Sequence, residues 1–145
     1  MKRKEQVTAF YLETLLLIVV FIAIILVLTQ VFGLSRMQSA QARQLTDAVC
    51  LAQNAAEAVA ASQSAEEVCA LLDEGGNARL TEEGVEAGYG LDMAPDGSGT
   101  PALLLRVGWA PEGGLARSHI AVYRGGEGEP VYALDTAVYL GEVRA

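Results

Sequence analysis

The chain has 145 residues, 52% of them hydrophobic, with ten basic and 18 acidic side chains and a formal net charge of −8. That length leaves room for one small domain once a membrane segment is set aside. From Met37 onward six arginines and no lysine face 16 acidic residues, a balance of −10 with no basic stripe, which excludes nucleic acid as a partner.

The first nine residues form a short basic leader carrying Lys2, Arg3 and Lys4. Ala9 to Val31 then holds one charged residue, Glu13, among residues otherwise apolar except for Thr14, Thr29 and Gln30. An apolar run beyond about 18 residues crosses a hydrocarbon layer of ~30 Å as a helix rising ~1.5 Å per residue. A cleaved secretory signal would have a shorter apolar core and a small-residue cut site. Here the run leads into Val31-Phe32-Gly33-Leu34, so residues 10–34 read as a transmembrane helix. Only Arg36 and Arg43 follow it closely, and the excess of basic charge before the span keeps the N-terminus cytoplasmic. The expectation is a single-pass membrane protein with residues 35–145 as an extracytoplasmic α+β domain.

Gly33 and Ser35 mark a soft spot where a bend is expected. Met37 to Ala61 lacks Gly and Pro and is rich in Ala and Gln, good helix formers. Leu45, Val49, Ala52, Ala56 and Val59 recur at spacings of three and four and define an apolar face. Membrane and soluble stretches therefore join in one long helix from Phe10 to Ala61. Ser64-Ala-Glu-Glu67 fits a capping box and opens a short second helix through Val68, Leu71 and Leu72 that stops at Gly75-Gly76. Asn77 to Gly88 reads as a polar connection.

Four runs rich in β-branched and aromatic residues follow: Tyr89–Met93, Ala102–Trp109, Ser118–Arg124 and Val131–Leu140. Short Gly/Pro/Asp-rich links separate them, too short for the crossovers of parallel strands, so a four-stranded antiparallel meander packed on the helix is expected.

At this point the chain resembles the type IV pilins and their relatives, the pseudopilins of type II secretion and competence systems. The resemblance rests on Lys2-Arg-Lys4, on Ala9-Phe-Tyr-Leu-Glu-Thr-Leu-Leu-Leu-Ile-Val-Val20, and on the order of long helix then antiparallel sheet. It implies a prepilin peptidase cut between Ala9 and Phe10, methylation of the new N-terminus, and recruitment of the next subunit by Glu13. The family has Gly before the cut, where this chain has Ala9. Its recruiting Glu stands fifth after the cut, whereas Glu13 stands fourth, rotated by ~100° on a helix. The implied role is a structural subunit of a filament in the cell envelope, with other pilin-like subunits, the assembly machinery and the membrane as partners. The alternative is a stand-alone membrane-anchored binding module.

Several residues read as structure rather than chemistry. Cys50 and Cys69 are too few for a disulfide framework or a four-ligand metal site. Their spacing leaves open one disulfide or two separately buried thiols. Asp92 and Asp96-Gly-Ser-Gly lack the alternating ligands of a calcium loop and read as a turn. His119, the sole histidine, reads as a solvated strand residue, and Trp109, Tyr123, Tyr132 and Tyr139 as sheet-face packing. Glu82, Glu83 and Glu86 read as solvated surface. No phosphate loop is present, and no enzyme, metal or cofactor is expected.

Overall fold

The computed structural model describes residues 2–141. Clustering of the chain gives two compact units, Met1–Ala42 and Arg43–Ala145. One α-helix, α1 (Lys2–Ala60), contributes to both. It passes through Gly33 without interruption, so the bend expected there does not break the helix. An isolated glycine costs ~1 kcal/mol of helix propensity, which the flanking run of apolar helix formers outweighs.

In the first unit every described residue is exposed. Phe10, Leu15, Leu16, Phe21, Leu26 and Phe32 are among many large apolar side chains left bare. The helix is long and apolar enough to cross a membrane. A surface so apolar has no stable resting place in water.

The second unit is α+β. The end of α1 lays Ala48, Leu51, Ala52, Ala55, Ala58 and Val59 into the core. This face is rotated from the one expected, for Leu45 is 48% exposed and Val49 and Ala56 are only half-buried. Ala52 and Val59 are common to both faces, and four of the six buried residues are alanines. Helix α2 (Ala65–Leu72) begins where Ser64 Oγ accepts from the Glu67 N–H at 3.3 Å. Glu67 Oε2 in turn accepts from the Gln63 N–H at 2.7 Å, one residue earlier than in the usual reciprocal box.

Six strands follow instead of four: β1 (Ala78–Thr81), β2 (Gly84–Tyr89), β3 (Leu103–Gly108), β4 (Ala110–Glu112), β5 (Leu115–Arg124) and β6 (Tyr132–Tyr139). All pairings are antiparallel between neighbours in the chain, with β3 and β4 forming one line broken at Trp109 along the same edge of β5. The expected connection at 77–88 is thus the β1–β2 hairpin. The expected strand Tyr89–Met93 stops at Tyr89, because Gly90 and Met93 close a turn through Gly90 N–H to Ala94 O (2.8 Å) and Met93 N–H to Gly90 O (3.1 Å).

Alternation fixes the two faces of the sheet. Val85, Ala87, Leu105, Val107, Ile120 and Val122 point to the helices and form one buried cluster with the alanine stripe, Val68 and Leu72. The opposite face carries Glu86, Arg106, His119, Tyr123 and Asp135, placed by the register of the pairs. Its floor is paved with small residues, Gly84, Gly108 and Ala121, and Gly84 is the tightest of these. Its φ is +147°, and a Cβ there would collide with the Val107 carbonyl oxygen.

Candidate functional site

The residues singled out for assembly lie in the first unit. Ala9, Phe10 and Glu13 are all helical and exposed. At spacings of three and four they share one face of α1. Thr14 Oγ1 donates back to the Phe10 carbonyl (2.9 Å) and Thr8 Oγ1 to that of Lys4 (2.8 Å), so hydroxyls near the expected cut are satisfied within the helix. The Phe10 and Tyr11 rings meet edge to face at 6.3 Å. Among the described residues Glu13 has no ion-pair partner. A carboxylate in an apolar segment is expensive, by ~2.5–3.5 kcal/mol at the centre of a span, and no ion pair among the described residues offsets it.

In the second unit the polar side chains gather on the sheet face away from the helices. Glu86 lies between two arginines: Arg79 Nη2 donates at 2.7 Å and Arg106 Nε at 2.9 Å. The Arg106 guanidinium also sits 4.9 Å over the Tyr123 ring. These contacts tie β1, β2, β3 and β5 across the face. Hydrogen bonds from Arg79 lead in holding the Glu86 carboxyl below the usual carboxylate range, against the opposing effect of partial burial. The reading of Glu86 as solvated surface missed this arrangement. The signal lay in cross-strand pairing, which needs the β1–β2 hairpin to be recognised first.

His119 is exposed, as read, but not alone. Its Nδ1 lies 2.5 Å from Asp135 Oδ1, directly across from it in the β5–β6 register. Carboxylate, imidazole and an open groove of about 780 Å³ lined by Trp109 and Arg117 suggest general-base chemistry at first sight. The neighbouring Ser118 cannot serve as its nucleophile. One position along the strand, Ser118 points to the opposite face, is 2% exposed, and its Oγ has no hydrogen-bond partner among the described residues. No other hydroxyl or thiol is paired with this histidine among the described residues.

The remaining candidates are structural. Asp92 Oδ1 accepts from the Ala94 N–H (3.2 Å) and Asp96 Oδ1 from the Ser98 N–H (2.8 Å), the turn bonds expected of them. Asp73 Oδ1 accepts from the N–H groups of Gly76 (2.7 Å) and Ala78 (3.3 Å). Backbone N–H donors, with Ala78 foremost, hold its carboxyl below the usual range. Among the described residues no three His, Cys, Asp or Glu side chains are grouped to hold a metal. Cys50 is an exposed thiol on α1 and Cys69 a half-buried one on α2, its pKa raised by burial and by the Asp73 carboxylate. Trp109 and Tyr132 pack against the core, while Tyr139 is 64% exposed.

Comparison with protein-family models, with curated proteins and with solved structures finds no match to this chain.

Proposed function

We propose that this chain is a structural subunit of a pilin-like or pseudopilin-like filament, anchored in a membrane by the first part of α1 until that helix packs against other subunits. The observation that carries the reading is the division of labour within α1. Its described residues up to Ala42 are wholly exposed and include the apolar run Ala9 to Leu34, while Ala48 to Val59 bear the buried stripe of an α+β domain. In this reading Lys2 to Lys4 hold the N-terminus on the cytoplasmic side and the α+β domain lies outside. Cleavage before Phe10 frees an ammonium group, and Glu13, without an ion-pair partner among the described residues, meets that of a neighbouring subunit. The membrane, related subunits, their assembly machinery and a prepilin peptidase are its partners, and the role is one of assembly rather than catalysis.

The mature N-terminus tests the proposal. Intact mass in a host with its assembly system is expected to show loss of residues 1–9 and addition of a methyl group. Sheared surface filaments are expected to contain the protein, and Glu13→Gln is expected to remove it from them. An uncut chain that stays in the membrane fraction overturns the reading. It favours instead the stand-alone anchored binding module.

A further inference from the structure

The two edges of the sheet are protected very differently. Edge strand β1 has four residues, and its Arg79 is drawn to Glu86. A short strand bearing a charge is a usual defence against unwanted pairing. Edge strand β6 has eight residues, Tyr-Ala-Leu-Asp-Thr-Ala-Val-Tyr, with no proline, no lysine or arginine and no bulge in its register with β5. Its one charge, Asp135, is engaged with His119. Among the described residues nothing pairs with its far side.

The ladder shows which backbone groups are left over. The Leu140 N–H donates to the Gly114 carbonyl at 2.8 Å, so even-numbered residues along β6 turn their N–H and C=O toward β5. Hydrogen-bonding direction alternates residue by residue in an antiparallel pair. Ala133, Asp135, Ala137 and Tyr139 therefore direct theirs to the open side. The side chains give a second sign. Tyr132, Leu134 and Val138 point to the helix side, yet each is only half-buried, whereas Val85, Leu105 and Ile120 on the inner strands are fully buried. The apolar layer continues to the rim of the sheet, where its side chains are only half-buried.

We propose that the open edge of β6 is a strand-addition site for an extended, cationic segment of another protein. Main-chain hydrogen bonds to Ala133, Asp135, Ala137 and Tyr139 would supply affinity, and alternate apolar side chains of the guest would cover Leu134 and Val138. Charge selects the guest. Glu127 and Glu129 lead into β6, and the chain from Met37 onward has a balance of −10. A second copy would bring the same acidic surface against itself. A lysine-bearing strand meets opposite charge.

The test uses the full-length protein in detergent micelles and an eight-residue peptide alternating valine with lysine. Without peptide, the amides of Ala133, Asp135, Ala137 and Tyr139 are expected to exchange freely, while those of Leu134, Thr136 and Val138 are protected. With peptide, the first set slows at least tenfold. Ala137→Pro removes one outward N–H without touching a bond to β5, and is expected to weaken peptide binding at least tenfold. A peptide with glutamate in place of lysine is also expected to bind at least tenfold more weakly. Protection of the odd-numbered amides in the absence of peptide overturns the proposal, because something else then occupies the edge. Self-association through β6 overturns it in favour of a second copy, and an unchanged exchange pattern on peptide addition overturns it outright. Should Ala137→Pro fail to fold, the residue-by-residue footprint on the unaltered protein still decides.

Discussion

Replacing Ala52 by leucine probes the contact on which the α+β unit depends. Ala52 is fully buried at the middle of the helix stripe, flanked by Ala48 and Ala55, also fully buried. All three belong to one cluster with Leu105, Val107 and Ile120 of the sheet. Each of these alanines is 0% exposed in that cluster, so an isobutyl group has no space without moving the helix or forcing neighbours off their rotamers. Overpacking of this kind costs ~1–3 kcal/mol. The upper half of that range is expected here, because Ala52 is 0% exposed and leaves a larger side chain no route to solvent. For a domain of roughly 100 residues, ~2–3 kcal/mol lowers the melting midpoint by about 10–20 °C. Half-buried Trp109, which packs against the same core, provides the fluorescence signal for thermal melts in detergent. Gln53→Leu, on the exposed neighbouring position, serves as the control and should lie within about 0.5 kcal/mol of the parent. Equal midpoints for Ala52→Leu and Gln53→Leu would refute the packing of this helix on the sheet.

Other expectations follow from single groups. Ser118→Ala removes a buried hydroxyl that lacks a partner and should raise stability by ~1 kcal/mol in urea unfolding, since leaving such a group unsatisfied costs ~1–3 kcal/mol; a loss of stability would mean that the hydroxyl has an unrecognised partner. Glu86 has its carboxyl held low in the folded state, so its contribution is present above its ordinary pKa of 4.5 and disappears as pH falls through the lowered folded value. Glu86→Gln should therefore reduce the difference in urea midpoint between about pH 7 and about pH 3, and an unchanged difference would assign the acid sensitivity to other carboxylates, Asp73 and Asp96 first. Gly84→Ala forces a side chain onto the Val107 carbonyl at a backbone angle that favours glycine; a loss of roughly 1–3 kcal/mol is expected by the same melt, and a neutral effect would show that the β2–β3 crossing is looser than drawn.

Much of the architecture was legible because the strongest signals are periodic. The long helix followed from an apolar run joined to a Gly- and Pro-free Ala/Gln segment, and α1 ends one residue from the expected Ala61. Its start at Lys2, ahead of Phe10, was missed because the leader's charges read as a tail rather than as a helical turn. Strands β3, β5 and β6 lay close to their expected positions, since Leu103–Val107, Ile120–Tyr123 and Tyr132–Tyr139 are rich in branched and aromatic residues. The β1–β2 hairpin was not legible. Gly84-Val-Glu-Ala-Gly-Tyr89 has poor intrinsic strand propensity and is held in place by pairing with β3, a tertiary contact that no local window contains. The Glu86 arrangement and the His119–Asp135 pair were hidden for the same reason: their partners lie 7, 20 and 16 positions away, fixed only by register. Ala9, Phe10 and Glu13, proposed above for assembly, were visible as residue types in an unusual setting.

Taking β3 and β4 as one interrupted line, each strand pairs with the one that precedes it in the chain, and this bears on how the molecule matures. Nothing added later has to thread between strands already joined, so the sheet can zip from β1 to β6 in the order in which a ribosome or a translocation pore releases it. Low sequence separation of partners also favours rapid closure. The last piece to emerge is β6, which leaves a nascent sheet with a different unfinished margin at each stage. A pause before Val131 would expose β5, ten residues long and carrying Ile120 and Val122, making that moment the most hazardous in the life of the chain.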